Sequence, residues 1–191
     1  MNLIVFEDLG VERLGAIALG RPAYAITCAS FRLIDWLETF DASLLGLVRS
    51  HLSLIQLNDF PQLATQPNRD AAWTLIVNAR MVPSVANVRR LRELIDLTVD
   101  DPQASKQSRP LVARSSWAVA AALVPTAMIE ADDAEGVAQF VASLGNGKSA
   151  DCDSHPLEFD LFEYPHDVVR FNMSCFNDNL QHRINDAASY H

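Results

Sequence analysis

Asn2-Leu3-Ile4-Val5-Phe6 runs directly into Glu7-Asp8, and some twelve residues later the chain reads Gly20-Arg21-Pro22. Four consecutive apolar residues, Leu3 to Phe6, have strand length and no alternation, the pattern of a central strand covered on both faces. A second such run, Trp73 to Val77, stops at Asn78-Ala79-Arg80. Ligands of open parallel sheets bind beyond the carboxyl ends of the strands. Two strand exits therefore carry the candidate polar groups: Glu7, Asp8 and Arg21 at the first, Asn78 and Arg80 at the second.

Amphipathic segments separate these runs. Ser30 is expected to cap a helix with Phe31, Ile34, Leu37 and Phe40 inward, widened by Trp36. Ser43 to Leu57 has mixed periodicity, and residues 62–70 read as a loop. Ser84 is expected to cap a helix burying Val88, Leu91, Leu94, Ile95 and Val99, with Arg89, Arg90, Arg92 and Glu93 toward solvent. Residues 100–110 read as a polar loop. Leu111 to Val124 forms two strands or one bent strand, broken near Ser115-Ser116. Asp132 with Glu135 resembles a capping box, and Val137, Phe140, Val141 and Leu144 bury the helix that Gly145 ends. Residues 146–155 read as a partly acidic loop. Pro165 suits a first helical position, with Val169, Met173, Phe176, Leu180 and Ile184 expected inward. Strands alternating with helices give an α/β fold, three-layered, with a mainly parallel sheet and helices on both faces.

The 191 residues, 49% hydrophobic, suffice for one domain spanning 1–191. A net charge of −9 opposes a nucleic-acid binder. It leaves room for an anionic small ligand, because a few arginines can focus positive potential in a cleft. Lys106 and Lys148 are the only lysines. Cys28, Cys152 and Cys175 are too dispersed for a disulfide framework or zinc site, which fits a reducing, cytoplasmic setting. The longest apolar run, Trp117 to Val124, is too short to cross a membrane, and the acidic Glu7-Asp8 excludes a signal peptide. Common catalytic motifs (GxSxG, HExxH, the P-loop, GxGxxG) do not occur.

Each candidate has a functional and a local reading. Arginine binds phosphate through a planar fork that keeps its proton, yet Arg21 could equally pin its own loop through carbonyls. Asn78 could orient a base or sugar, or serve a turn. His166 beside Asp167 suits a helix start better than acid–base work. Asp151, Asp153 and His155 suit an acidic loop better than a metal site. Phe159, Phe162, Tyr164 and Phe171 fit core packing or an apolar docking surface.

Three segments, "FEDLG" with "LGRPAYAITCASFRLIDWLE", "LIVNARMVPS" and "YPHDVVRFNMSCFNDNL", taken in order, resemble the N-terminal domain of a bacterial family of sugar nucleotidyltransferases. That family is related to the bifunctional UDP-N-acetylglucosamine pyrophosphorylase/glucosamine-1-phosphate acetyltransferases. The matching positions are Asp8, Arg21 and Pro22; Asn78, Arg80 and Pro83; and Tyr164, Pro165, Asp167 and Asn172. The resemblance implies a nucleotide-diphospho-sugar transferase-like fold. It implies transfer of a nucleotidyl group from a nucleoside triphosphate to a sugar-1-phosphate, with Mg2+ as cofactor. Arg21 and Arg80 would then be catalytic, Asn78, Asn172 and Asp167 substrate-binding, and Asp8 a metal ligand. Family members usually continue into a β-helix acyltransferase-like domain of hexapeptide repeats, and this sequence has no such repeat. It also lacks the family fold's glycine-rich phosphate loop, and Arg80 stands about where a metal-binding aspartate is usual. A sugar-nucleotide or sugar-phosphate binding domain without catalysis, and a protein-interaction domain, are the alternative readings.

Overall fold

A computed structural model describes residues 1–99, 109–115, 118–131, 133–145 and 153–188. Six strands form one sheet in the order β2-β1-β3-β5-β4-β6. They are β1 (Asn2–Phe6), β2 (Ser43–Leu47), β3 (Trp73–Asn78), β4 (Leu111–Arg114), β5 (Val119–Pro125) and β6 (Asp153–Glu158). Strand β1 lies between β2 and β3, parallel to both, with Phe6 in register with Leu47 and Asn78. Strand β5 alone runs antiparallel to its neighbours, and β4 pairs β6 in parallel. The carboxyl ends of the other strands therefore share one edge. All of β1 is buried, as its unbroken apolar run requires.

The helices are α1 (Ala16–Leu19), α2 (Leu33–Leu37), α3 (Ser53–Asp59), α4 (Val85–Val99), α5 (Ala134–Gly145) and α6 (Asp167–Ala188). One core contains Leu3, Val5, Leu75, Val77 and Leu123 with Leu33, Ile34 and Leu37 of α2 and Leu91 and Leu94 of α4. The other contains Ile4, Phe6, Ile76, Ala122 and Val124 with Val137, Val141 and Leu144 of α5. The period-2 alternation of side chains assigns each strand's residues to opposite cores. This is the three-layer α/β arrangement with helices on both faces. Among the described residues there is one sheet and no β-helix.

Ser84 caps α4 as expected, its hydroxyl accepting from the Asn87 amide at 3.2 Å. Other boundaries differ from the expected ones. The helix expected from Ser30 begins at Leu33 behind Arg32, because Ala29 and Ser30 have φ of 49° and 74° and close a tight turn. Cys28 and Phe31 exchange both backbone hydrogen bonds across that turn, which matches a hairpin turn with two left-handed central residues. Leu111 to Val124 resolves into the antiparallel pair β4 and β5. Residues 153–155, expected in a loop, begin β6 because they pair with β4. Asp133 caps α5, its carboxylate accepting from Gly136 at 2.7 Å. Asp132, Ser116, Trp117, Asp151, Cys152 and the expected loops over 100–108 and 146–152 lie outside the described residues.

The largest correction concerns α6. Val169, Met173 and Ile184, expected inward, are 65%, 77% and 54% exposed, with Phe176 and Leu180 also exposed. The inward face carries Val168, Phe171, Cys175 and Asn179 instead. Hydrogen bonding decides this orientation. The carboxamide of Asn179 donates to the carbonyls of Ala29 and Pro83 at 3.0 and 2.7 Å and accepts from the Val85 amide at 3.1 Å. Asn172 accepts from the Ala29 amide at 2.8 Å. Unmade, these buried backbone bonds would each cost about 1–3 kcal/mol, comparable with burying one of the outward side chains.

Phe159 and Phe162 are buried and belong to the core, which removes them from any docking surface. No helix among the described residues is long and apolar enough to cross a membrane.

Asn179→Ala orphans three backbone groups and is expected to destabilise the fold by about 2–3 kcal/mol. Met173→Ser, on the exposed stripe, should change stability by no more than about 0.5 kcal/mol. Urea unfolding of the two variants checks the orientation of α6, since the reverse order of effects would place the stripe inside.

Candidate functional site

Two adjacent carboxylates leave β1, and each captures an arginine from a flanking strand's exit. Glu7 turns toward β2. Its Oε2 accepts from the backbone N–H and Nε of Arg49, both at 3.0 Å, and its Oε1 accepts from the Ala23 amide at 2.9 Å. Arg49 also donates to the Ala18 carbonyl, so the 9–19 segment is tied down from the β2 side. Asp8 turns toward β3. Arg80 meets it as a fork, Nε to Oδ1 and Nη2 to Oδ2, each 2.7 Å. The remaining Arg80 contact runs from Nη1 to the Phe162 carbonyl at 2.8 Å.

Asn78 completes this group. Its Nδ2 donates to Asp8 Oδ2 at 2.8 Å and to the Val119 carbonyl at 3.2 Å, while its oxygen accepts from the Arg80 amide at 3.0 Å. Arg80 is 4% exposed, and Gly10 lies over it. A Cβ at Gly10 would come 2.5 Å from the guanidinium, so this glycine is required by close approach. Burial by itself would raise the Asp8 carboxyl. The Arg80 hydrogen bonds and charge, with Asn78 and the Gly10 amide, outweigh it and hold the group below its ordinary value.

Further along the same edge, a cleft of about 410 Å3 opens beside the ends of β4 and β6. Its lining includes Glu158, Asp160, Tyr164, His166, Asp167 and Arg170. Its size lies within the range of small-molecule sites. The Tyr164 and His166 rings stack at 5.6 Å with 5° between planes. Asp167 accepts from the amides of Glu163 and Tyr164, both at 2.9 Å, and pairs with Arg170 at 3.0 Å. Burial would raise its carboxyl; those amides, then Arg170 and His166, bring it below the ordinary value. The segment joining the two regions pairs with the β3 exit: Phe162 donates to the Arg80 carbonyl at 2.8 Å and Val82 to the Asp160 carbonyl at 3.0 Å.

The sequence-derived candidates thus separate. Asp8, Asn78 and Arg80 come together, buried and bonded to one another. Asp167 lines the cleft while holding its rim. Asn172 faces the Ala29 turn. Arg21 is exposed, two residues before the amide that Glu7 holds, which anchors it at the β1 exit. Arg49 and Gly10 escaped sequence reasoning. An arginine two residues after a short apolar segment, as at Arg80, was the signal for Arg49, but the mixed periodicity of 43–57 hid the strand before it.

The residues present do not form the implied magnesium site at Asp8. An ionised carboxylate has about four lone-pair sites, and three of those on Asp8 are taken, two by Arg80 and one by Asn78. Among the described residues no group of three or more His, Cys, Asp or Glu side chains is placed to hold a metal ion.

A family model described as sugar nucleotidyl transferase matches residues 3–186, and the chain belongs to that family. Among solved structures, the crystal structure of HddC from Yersinia pseudotuberculosis complexed with GMP-PN is similar in shape. The likeness covers 91% of this chain and 99% of that one, with a TM-score of 0.48 and 8% identity. No curated protein matches the sequence.

Two measurements test the Asp8–Arg80 geometry. Gly10→Ala forces a methyl group onto the guanidinium and is expected to cost about 1–3 kcal/mol in urea unfolding. The second is the stability gap between wild type and Asp8→Asn as a function of pH. Because the folded carboxyl sits below its ordinary value, its contribution is complete above a pH of about 4. The gap should be constant from neutral pH down to that point, and shrink as pH falls further through the folded value.

Proposed function

We propose that this chain transfers a nucleotidyl group from a nucleoside triphosphate to a sugar-1-phosphate. The observation that carries the reading is the shared carboxyl edge of a matched family member. There an exposed arginine stands two residues before the Ala23 amide that Glu7 holds at the exit of β1, and a cleft of ligand size opens further along, at the ends of β4 and β6. An oxygen of the sugar phosphate would attack the α-phosphorus. The bond from that phosphorus to the oxygen bridging to the β-phosphate breaks as the new one forms, and pyrophosphate leaves.

Such a reaction asks the protein for alignment and charge neutralisation more than for covalent chemistry. Arg21, exposed at the β1 exit, would be the cation that meets phosphate oxygens. Arg80 acts at one remove, fixing Asp8 and the loop over it. In the cleft, Asp160 and Glu158 can accept from sugar hydroxyls, and the Tyr164–His166 pair offers a flat apolar face. Asp167 holds the rim through two backbone amides. Such a reaction suits the cytoplasm, where nucleoside triphosphates and sugar phosphates occur together.

A second reading is favoured by one observation: Arg49 and Arg80 are both committed to carboxylates of the protein itself. With those cations withdrawn from substrate, the same edge could hold a sugar nucleotide or sugar phosphate without turning it over.

Incubation with nucleoside triphosphates, a panel of sugar-1-phosphates and magnesium, followed by pyrophosphate release, distinguishes the two. Transfer predicts a nucleotide sugar whose kcat/KM falls at least about tenfold in Arg21→Ala, the loss expected for one charge-assisted bond to phosphate. Thermal stabilisation by a sugar nucleotide without pyrophosphate release would support the second reading. Neither effect would exclude both.

A further inference from the structure

The magnesium that the family resemblance implies has no coordination site at the β1 and β3 exits, and what replaces it is visible in the geometry. We propose that the Arg80 guanidinium permanently occupies the cation position beside Asp8, so that this edge accepts phosphate-bearing ligands without a divalent ion on Asp8. This inference rests on the reading that the edge takes such ligands.

Three independent features support it. The carboxylate is largely committed, since the Arg80 fork and the Asn78 carboxamide take three of its about four lone-pair sites. The guanidinium is also locked from its far side by the Phe162 carbonyl, at 2.8 Å, and its side chain is 5% exposed. It is thus a built-in charge rather than a surface arginine that could swing aside. Finally, Gly10 leaves room for the guanidinium that any other residue would remove. A divalent ion on Asp8 would have to displace a fixed positive charge held by two 2.7 Å contacts, and would then sit against it.

By the family resemblance Arg80 stands about where a metal-binding aspartate would be, and it neutralises the Asp8 carboxylate. Phosphate charge then falls to Arg21, which is exposed at the β1 exit.

Mn2+ alone is the probe. Free Mn2+ is followed by electron paramagnetic resonance while the ion is titrated into wild type and Asp8→Asn, without nucleotide. Affinities equal within about twofold are expected. A site in wild type that Asp8→Asn weakens tenfold or more would overturn the proposal. Should Asp8→Asn fail to fold, the wild-type protein answers by itself. The Arg80 Nε–H resonance, assigned by its loss in Arg80→Lys, should persist unbroadened on adding stoichiometric Mn2+, and its bleaching would overturn the proposal. Because no nucleotide is present, these outcomes are separate from the success or failure of nucleotidyl transfer. The link to ligand is checked by UTP calorimetry in Mg2+ and in EDTA. Affinities within threefold are expected. A tenfold loss in EDTA that Asp8→Asn abolishes would count against it.

Discussion

Two neighbouring carboxylates at the end of one buried strand organise the working edge of this protein. Glu7 and Asp8 leave β1 side by side, and each takes an arginine from a different neighbouring strand. Buried charges are tolerable only when paired and hydrogen-bonded. Meeting that condition here fixes the 9–19 segment, through Ala18 on one side and Gly10 on the other. The same condition ties β3 to the distant segment at Phe162. A single electrostatic requirement therefore positions loops drawn from residues 8, 49, 80 and 162.

The second organising element is α6, which has two apolar faces and buries the one that also carries asparagine. Asn172 and Asn179 hold a turn whose central residues, Ala29 and Ser30, adopt the left-handed conformation without being glycine. Such residues persist only where the surroundings over-determine them. The turn connects the loop bearing Arg21 with α2, so the last helix of the chain braces the first strand's exit. At its other end α6 supplies Asp167, which holds the cleft rim. The site is thus assembled from both ends of the chain.

These constraints bear on chemistry. Family membership describes what such chains do as a class, whereas the charges decide how this one meets a ligand. Arginines that a strand-exit argument would aim at phosphate turn instead to the protein's own carboxylates, leaving Arg21 exposed at the β1 exit. With an overall charge of −9, that local arrangement matters more than the net field.

The α/β class was legible from unbroken apolar runs separated by amphipathic segments, because burial on both faces of a strand leaves a local trace. The Ser84 cap was legible for the same reason: capping acts within three residues. Asp8, Asn78 and Arg80 were also legible as a set at strand exits. Their pairing was not, since nothing local says whether an arginine faces solvent or a carboxylate 72 positions away. Nor could periodicity choose between the two faces of α6. The wrong stripe was the more apolar one, and the choice fell to Asn179 bonding backbone groups 94 to 150 residues distant. Sequence alone determined where strands end and which polar residues stand there, because those are short-range properties. Tertiary structure decided which of those residues remain open to a ligand, because buried charges and orphaned amides find partners through space.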